Sequence, residues 1–397
     1  MLKLVFGVAT GQAMSAGLSM LVSLFLINVL TKSDYGSYYF YYALLTFSAQ
    51  LPGIAINNGF AYQFQYTHNR EDLLYSYIGI KLAVFVLTML IVLGLSIAEI
   101  VTLMATLAIA VGLLFGLFDS SITIAQAKKK YRKFSLLQPV RNLLIVFGLG
   151  LAYLLSEELT VELILGVFLT IGLILVVLTV VDLSLLSIGG LNWASIGELV
   201  QASRRFFIFE VSAVILARIE VWILGYFATI HVLTSADIAE YGAGFTFGLV
   251  FPIISSSITS ILVTKIVPGT TLGQAVVRKL LAASAMALVF SVLYAFVAYQ
   301  LSRLIVPEKF TQLHWIIPMV TIGMWMSFCT NYARVSLLAH NSDRYMNAVY
   351  TGQVVIGIVL SFGFTGWFGL VGSVIAFCLI RLFALILVGT KFLRMSI

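Results

Sequence analysis

The sequence predicts an all-α integral membrane protein of about twelve transmembrane helices in two six-helix lobes. Three observations carry this reading. Of 397 residues, 61% are hydrophobic and 10% charged, with a mean hydropathy of +1.07, whereas a soluble chain carries about 25% charged residues. Apolar runs of roughly 20 residues, the length a helix needs to cross a bilayer, succeed one another with short connectors. These runs are continuous, unlike the alternating segments of about 10 residues that build an outer-membrane barrel. Finally, Lys and Arg alternate between sparse and dense from one connector to the next.

The expected spans are 8–30, 38–63, 74–97, 101–124, 136–155, 161–185, 206–227, 241–264, 280–304, 315–338, 345–367 and 369–388. The first follows Lys3, is too long for a signal-peptide core and lacks a small-x-small cleavage site, so it is expected to remain as a span. Spans one to six make an N-lobe, 1–185. A cytoplasmic connector, 186–205, holds Gly189-Gly190-Leu191-Asn192-Trp193 and an amphipathic piece ending at Arg204-Arg205. Spans seven to twelve make a C-lobe, 206–397. With both termini in the cytoplasm, fifteen Lys and Arg fall on that side, among them Lys128, Lys129, Lys130, Arg132 and Lys133. Only Lys32, Arg303 and Lys309 fall on the other. The positive-inside rule fixes that orientation and an even number of spans.

Several function classes are disfavoured. The net charge of +7 is not gathered in a basic, aromatic-interleaved domain, so no nucleic-acid partner is expected. Cys329 and Cys378 fall inside apolar spans and read as core thiols. His68, His231, His314 and His340 lie in loops or at span ends without ligand spacing, so no metal is expected. There is no Walker-type phosphate loop, no other cofactor motif and no catalytic constellation. The chain is read as a non-enzyme.

Charges inside the spans are the candidate functional residues, because a charge at bilayer depth is tolerated mainly where it faces a bundle interior or a water-filled cavity. The cations are Lys81, Arg141, Arg218, Arg334 and Arg381; the anions are Asp119, Asp182, Glu210 and Glu220. Arg218 is the foremost candidate, near the middle of Phe206–Phe227. In one helix Arg218 and Glu220 would stand about 200° apart, so at least one needs a partner elsewhere. Lys81 and Arg141 have a plainer reading as side chains snorkelling to the cytoplasmic surface. Asp182 and Arg334, near span ends, read as interfacial. Asp119, Glu210 and Glu220 are candidates for ion coupling or simply for pairing with the cations. A cationic lumen of this kind suits phosphate, since the planar guanidinium can bind two oxygens at once. Pro52-Gly53, Pro252 and Pro318 could break helices to line a cavity, while Pro139 reads as an ordinary helix-start proline.

The two halves echo one another. Leu30-Thr31-Lys32-Ser33-Asp34-Tyr35-Gly36 follows the first span, and Leu233-Thr234-Ser235-Ala236-Asp237 through Tyr241-Gly242 follows the seventh. Lobes of six spans would be parallel repeats about an axis along the membrane normal, a common transporter plan with the substrate site at the repeat interface. The alternative is that both copies are simply favourable helix-start chemistry.

Four stretches resemble the polysaccharide flippases of the Wzx type, within the MOP superfamily that also holds MATE exporters and lipid II flippases. They are LINVLTKSDYGSYYF after the first span, Arg218-Ile219-Glu220-Val221-Trp222-Ile223-Leu224-Gly225 with EYGAGFTFGLVFP, LLAHNSDRYMNAVYTG, and Gly369-Leu370-Val371-Gly372-Ser373-Val374-Ile375-Ala376. The resemblance implies a MATE-like, V-shaped bundle around a central cavity, working by alternating access in a bacterial inner membrane. It implies a lipid substrate, undecaprenyl-diphosphate-linked oligosaccharide such as an O-antigen repeat unit, moved to the periplasmic leaflet, and polysaccharide polymerase or export partners. Cationic lumen residues would then receive the diphosphate or acidic sugars. Of the candidates here, only Arg218 sits in a matching motif. A cation-coupled exporter of small molecules is the alternative, with Asp119 and Glu210 as its test residues.

Overall fold

The computed structural model describes residues 2–156, 158–182, 192–248, 274–339 and 342–394. In chain order these form α1 (Leu2–Val29), α2 (Lys32–Gln50), a 3-10 turn (Leu51–Gly53), α3 (Ile56–Gln63), α4 (Arg70–Ile97), α5 (Leu103–Ala127), α6 (Tyr131–Leu155) and α7 (Val161–Asp182). They continue with α8 (Trp193–Leu216), α9 (Ile219–Thr229), α10 (Ser235–Gly248), α11 (Gln274–Ile305), α12 (Leu313–Ala339) and α13 (Asp343–Arg394). No strand occurs among the described residues. Among the described residues, eight helices are long and apolar enough to cross a membrane, and the fold is that of an all-helical, multi-pass membrane protein. Residues 186–191 of the expected connector and 249–264 of the expected eighth span, with Pro252, lie outside the described residues, as does His340.

The helix limits follow local chemistry. Thr102 caps α5 by accepting the Ala105 N–H at 3.2 Å. Glu71 and Asp72 occupy the first turn of α4, where the helix dipole favours anions. Expected spans eleven and twelve are the two arms of α13, which turns at Gly369 with φ +59°, a left-handed conformation that glycine adopts without a Cβ penalty.

Two expected single helices are broken. Pro52, which has no N–H to donate, sits in the 3-10 turn between α2 and α3. Ala55 then takes φ +61°, a strained value for a residue with a Cβ. The expected helix over Phe206–Phe227 is also not continuous. α8 begins within the expected connector, runs to Leu216, and stops before Ala217 and Arg218, where α9 starts anew. The angular argument about Arg218 and Glu220 therefore does not apply, because Arg218 is the non-helical residue before α9, with φ −135° and ψ −5°. Pro139 differs from expectation as well. α6 begins at Tyr131, more than two turns earlier, so Pro139 lies inside the helix, buried.

The described chain divides into two compact units, one of Met1–Val22 with Phe40–Val214, the other of Ser23–Tyr39 with Ile215–Ile397. In the first, α5 is the most enclosed helix, with Val111, Leu113 and Ile124 buried. Phe60, Leu73, Tyr77, Ile124, Ala127 and Leu199 pack beside it as one apolar cluster. α4 instead exposes Val86, Leu87, Leu90 and Ile91, a face suited to lipid.

In the second unit the two Leu-Thr-x-x-Asp copies meet. Each caps a helix in a similar way. Thr31 Oγ1 donates to Asp34 Oδ2 at 2.5 Å, and Thr234 Oγ1 donates to Asp237 Oδ2 at 2.8 Å. The start of α2 then packs on α10. A Cβ at Gly36 would collide with the Ser235 carbonyl, and Gly242 lies against the Tyr39 ring. Lys32 reaches Glu240 at 2.6 Å, and that buried carboxylate also accepts the Thr311 N–H at 2.8 Å. Thr31 and Thr234, Asp34 and Asp237, and Tyr39 and Gly242 share one sequence offset without a gap. Of these pairs, Tyr39 and Gly242 are in contact.

Candidate functional site

The intramembrane charges are sorted between the units. Lys81, Asp119, Arg141 and Glu210 lie in the first; Arg218, Glu220, Arg334 and Arg381 lie in the second.

In the first unit, Lys81 on α4 is fully buried. Its Nζ donates to the Tyr77 hydroxyl at 3.2 Å and to the Gly116 carbonyl at 3.0 Å. The snorkelling expected of Lys81 therefore does not occur. Its ammonium is held by two neutral acceptors on α4 and α5, which meet its need for hydrogen bonds without cancelling its charge. Tyr77 is fixed in turn by donating to Asn57 Oδ1 at 2.7 Å and by stacking on Phe60 with ring centroids 4.2 Å apart. Arg141 on α6 does not snorkel freely either. It pairs with Asp119 on α5 at 3.2 Å and lies 5.6 Å from the centre of the Phe115 ring. Asp119 also acts electrostatically on Lys81. Two cations are thus served by one anion, and about a fifth to a quarter of the Arg141 and Asp119 side chains stays accessible.

Glu210 on α8 addresses the break between α2 and α3. One carboxylate oxygen accepts the Ala55 N–H at 2.6 Å, and the other accepts from Asn58 Nδ2. A backbone donor freed by a broken helix needs such a partner when no water is at hand. Glu210 thereby stabilises the strained turn at Ala55.

In the second unit, Glu220 and Arg381 form a closer pair, 2.6 Å apart and 2% and 11% exposed. Arg381 Nη2 also donates to the Leu216 carbonyl at 3.0 Å, and its guanidinium lies 4.0 Å from the centre of the Phe377 ring. Leu216 ends α8 and Glu220 stands in the first turn of α9. The pair therefore bridges the break in the seventh span. The cation meets the carbonyl end of one helix and the anion the N–H end of the next, as both dipoles require. Arg218 lies at the break itself, partly accessible. Arg334 on α12 donates to the Tyr350 hydroxyl on α13 at 3.1 Å and belongs to neither cluster.

Asp182 pairs with Lys133 at an accessible position, in keeping with an interfacial role. Lys309, in the link between α11 and α12, donates to the Leu30 carbonyl, and burial lowers its pKa. Among the described residues no cluster of three or more His, Cys, Asp or Glu could hold a metal ion. Sequence reasoning passed over Asn57, Asn58, Tyr77 and Gly116. Two adjacent asparagines just after Pro52-Gly53, inside an apolar run, are the signal that could have found the first two.

No protein-family model matches the sequence, and no curated protein matches it. Solved structures do share its fold. The lipid II flippase MurJ in an inward closed conformation superposes with a TM-score of 0.78 at 13% identity, covering 98% of this chain and 89% of that one. An outward-facing MATE-family multidrug resistance transporter of the MOP superfamily gives 0.64 at 12% identity, covering 99% and 96%. A mutant of the Vibrio cholerae MATE transporter VcmN gives 0.60 at 14% identity, covering 99% and 95%.

Proposed function

We propose that this chain is a lipid flippase of the MOP superfamily, of the Wzx type, that carries undecaprenyl-diphosphate-linked oligosaccharide, such as an O-antigen repeat unit, from the cytoplasmic to the periplasmic leaflet. It does so by alternating access, in a bacterial inner membrane with both termini cytoplasmic. The observation that carries the reading is the Lys81, Asp119 and Arg141 cluster. It keeps more cationic than anionic charge at membrane depth, on a fold shared with a lipid II flippase. A diphosphate is the complementary charge, and Arg141 offers the planar fork that binds phosphate oxygens in pairs. Arg218, partly accessible at the helix break of the second unit, is a separate candidate cation, to be tested on its own. Arg381 serves by holding the broken seventh span for Arg218, and Arg334 by fixing α12 to α13. The nearly neutral Glu220–Arg381 pair leaves the substrate's charge to the other cations. Polysaccharide polymerase or export proteins would take up the flipped product.

The test is deletion of the gene in its native host, with lipopolysaccharide resolved on a gel and lipid-linked intermediates extracted. Loss of long-chain polysaccharide, with completed lipid-linked units trapped on the cytoplasmic leaflet, is the expected result. Restoration by the native gene but not by Lys81→Met or Arg218→Ala would assign the cations. Intact polysaccharide in a host with no second flippase would overturn the reading.

One observation favours a second reading, a cation-coupled small-molecule exporter. Glu210 binds a strained, broken helix through its carboxylate, and protonation of that carboxylate would loosen both contacts. Efflux that survives neutralising both Glu210 and Asp119 would remove it.

A further inference from the structure

We propose that the link between α5 and α6 and the start of α6 form a binding site for an anionic phospholipid of the cytoplasmic leaflet. This inference does not rest on the proposed substrate.

A groove of about 900 Å³ lies at this corner, lined by residues 129–133 above and by Leu136, Leu137 and Val140 below. The segment from Lys128 to Lys133 holds five cations and no acid. Asp182 neutralises one of them, Lys133. Lys128, Lys129, Lys130 and Arg132 remain exposed. α6 starts here without a side-chain cap, so its first N–H groups add a partial positive charge where the cations already point. On the orientation that the positive-inside count predicts, this corner faces the cytoplasm.

Below the cations the surface becomes apolar in one direction only. Leu136, Val140, Leu143, Phe147 and Leu151 are all exposed and recur at helical spacing down one face of α6. That stripe is about 22 Å long at 1.5 Å per residue, enough to run alongside an acyl chain through one leaflet. A cationic rim above an apolar stripe matches a lipid that carries its negative charge at the headgroup. Among the described residues, Tyr131 alone brings a hydroxyl, amide or carboxylate side chain to the groove, and the groove's charge is carried by cations. The charge complementarity therefore selects a phospholipid headgroup.

The experiment uses the full chain reconstituted into nanodiscs of equal parts phosphatidylglycerol and phosphatidylcholine, with retained lipids counted by native mass spectrometry. The native chain should retain phosphatidylglycerol preferentially. A juxtamembrane cation strengthens anionic binding by about fivefold, so Lys129→Gln, Lys130→Gln and Arg132→Gln together should reduce the preference by at least about tenfold. Lys133→Gln together with Asp182→Asn, which removes a neutral pair and leaves the net charge of the corner unchanged, should change it by less than about twofold. Leu136→Asn with Val140→Asn, which leaves every cation in place, should also weaken retention. Equal retention of the two lipids, or a preference that survives the triple substitution, would overturn the proposal. So would binding of inorganic phosphate at the same cations in neutral detergent with unchanged lipid retention, which would assign the groove to a free anion.

Discussion

The Glu220–Arg381 pair and the Lys81, Asp119 and Arg141 cluster arise from one sequence signal, charge inside an apolar span, and the structure uses them oppositely. The first is closed. Its charges match one to one, both side chains are nearly buried, and the spare guanidinium nitrogen is spent on the carbonyl end of α8. The second is open. Its ammonium rests on neutral acceptors, its ion pair is longer, and part of that pair stays accessible. A charge with a matched anion and a helix end to cap holds the fold. A charge in excess leaves a net positive field that an anionic ligand can answer.

Substitutions can break that contrast. The largest stability effect is expected from Glu220→Ala, which leaves Arg381 buried without its anion at a cost of about 3–5 kcal/mol. Thermal unfolding in detergent measures it, and Asp119→Ala should cost less, because Arg141 keeps access to water and Lys81 keeps its Tyr77 and Gly116 acceptors. Equal losses would erase the distinction between the pairs. Lys81→Met should instead separate folding from function. Removing the enclosed ammonium, whose charge acts on the substrate through its field, would lower flipping by about 10-fold, while removing a buried charge that has no matched anion should cost under about 2 kcal/mol. Flipping assays beside the same unfolding measurement would show whether the two effects part. Glu210→Gln, which keeps an acceptor for Ala55 but loses the charge, should destabilise by about 1–2 kcal/mol. Ala55→Gly, which relieves the positive φ, should restore part of this in the double variant. The smallest change belongs to Lys133→Ala, whose exposed pair with Asp182 contributes at most about 1 kcal/mol. A larger loss there would mean that this corner is buried in the membrane-embedded protein.

The candidate site was legible in part. The identity of the buried charges could be read, because any charge within a long apolar run stands out against its neighbours. Their partners could not. Arg381 and Glu220 are 161 residues apart, and Lys81 is held by the Gly116 carbonyl, a group every residue carries. The break after Leu216 was also missed. Phe206–Phe227 contains neither Pro nor Gly before Gly225, so no local punctuation marks it. It persists because Arg381, from another helix, caps the end it creates. The break at Pro52 was visible for the opposite reason, since proline withdraws its own N–H.

By itself the sequence determined the class of the protein, the approximate extent of most of its apolar helices, and which residues carry charge into them. These follow from local sums, in which apolar length is set against bilayer thickness. Only the tertiary structure decided which charges cancel and which remain in excess, that Lys81 is fully enclosed, and that the two Leu-Thr-x-x-Asp copies pack on each other. Those outcomes depend on distances between residues far apart in the chain, where a shift of a few ångströms turns an ion pair into an isolated buried charge.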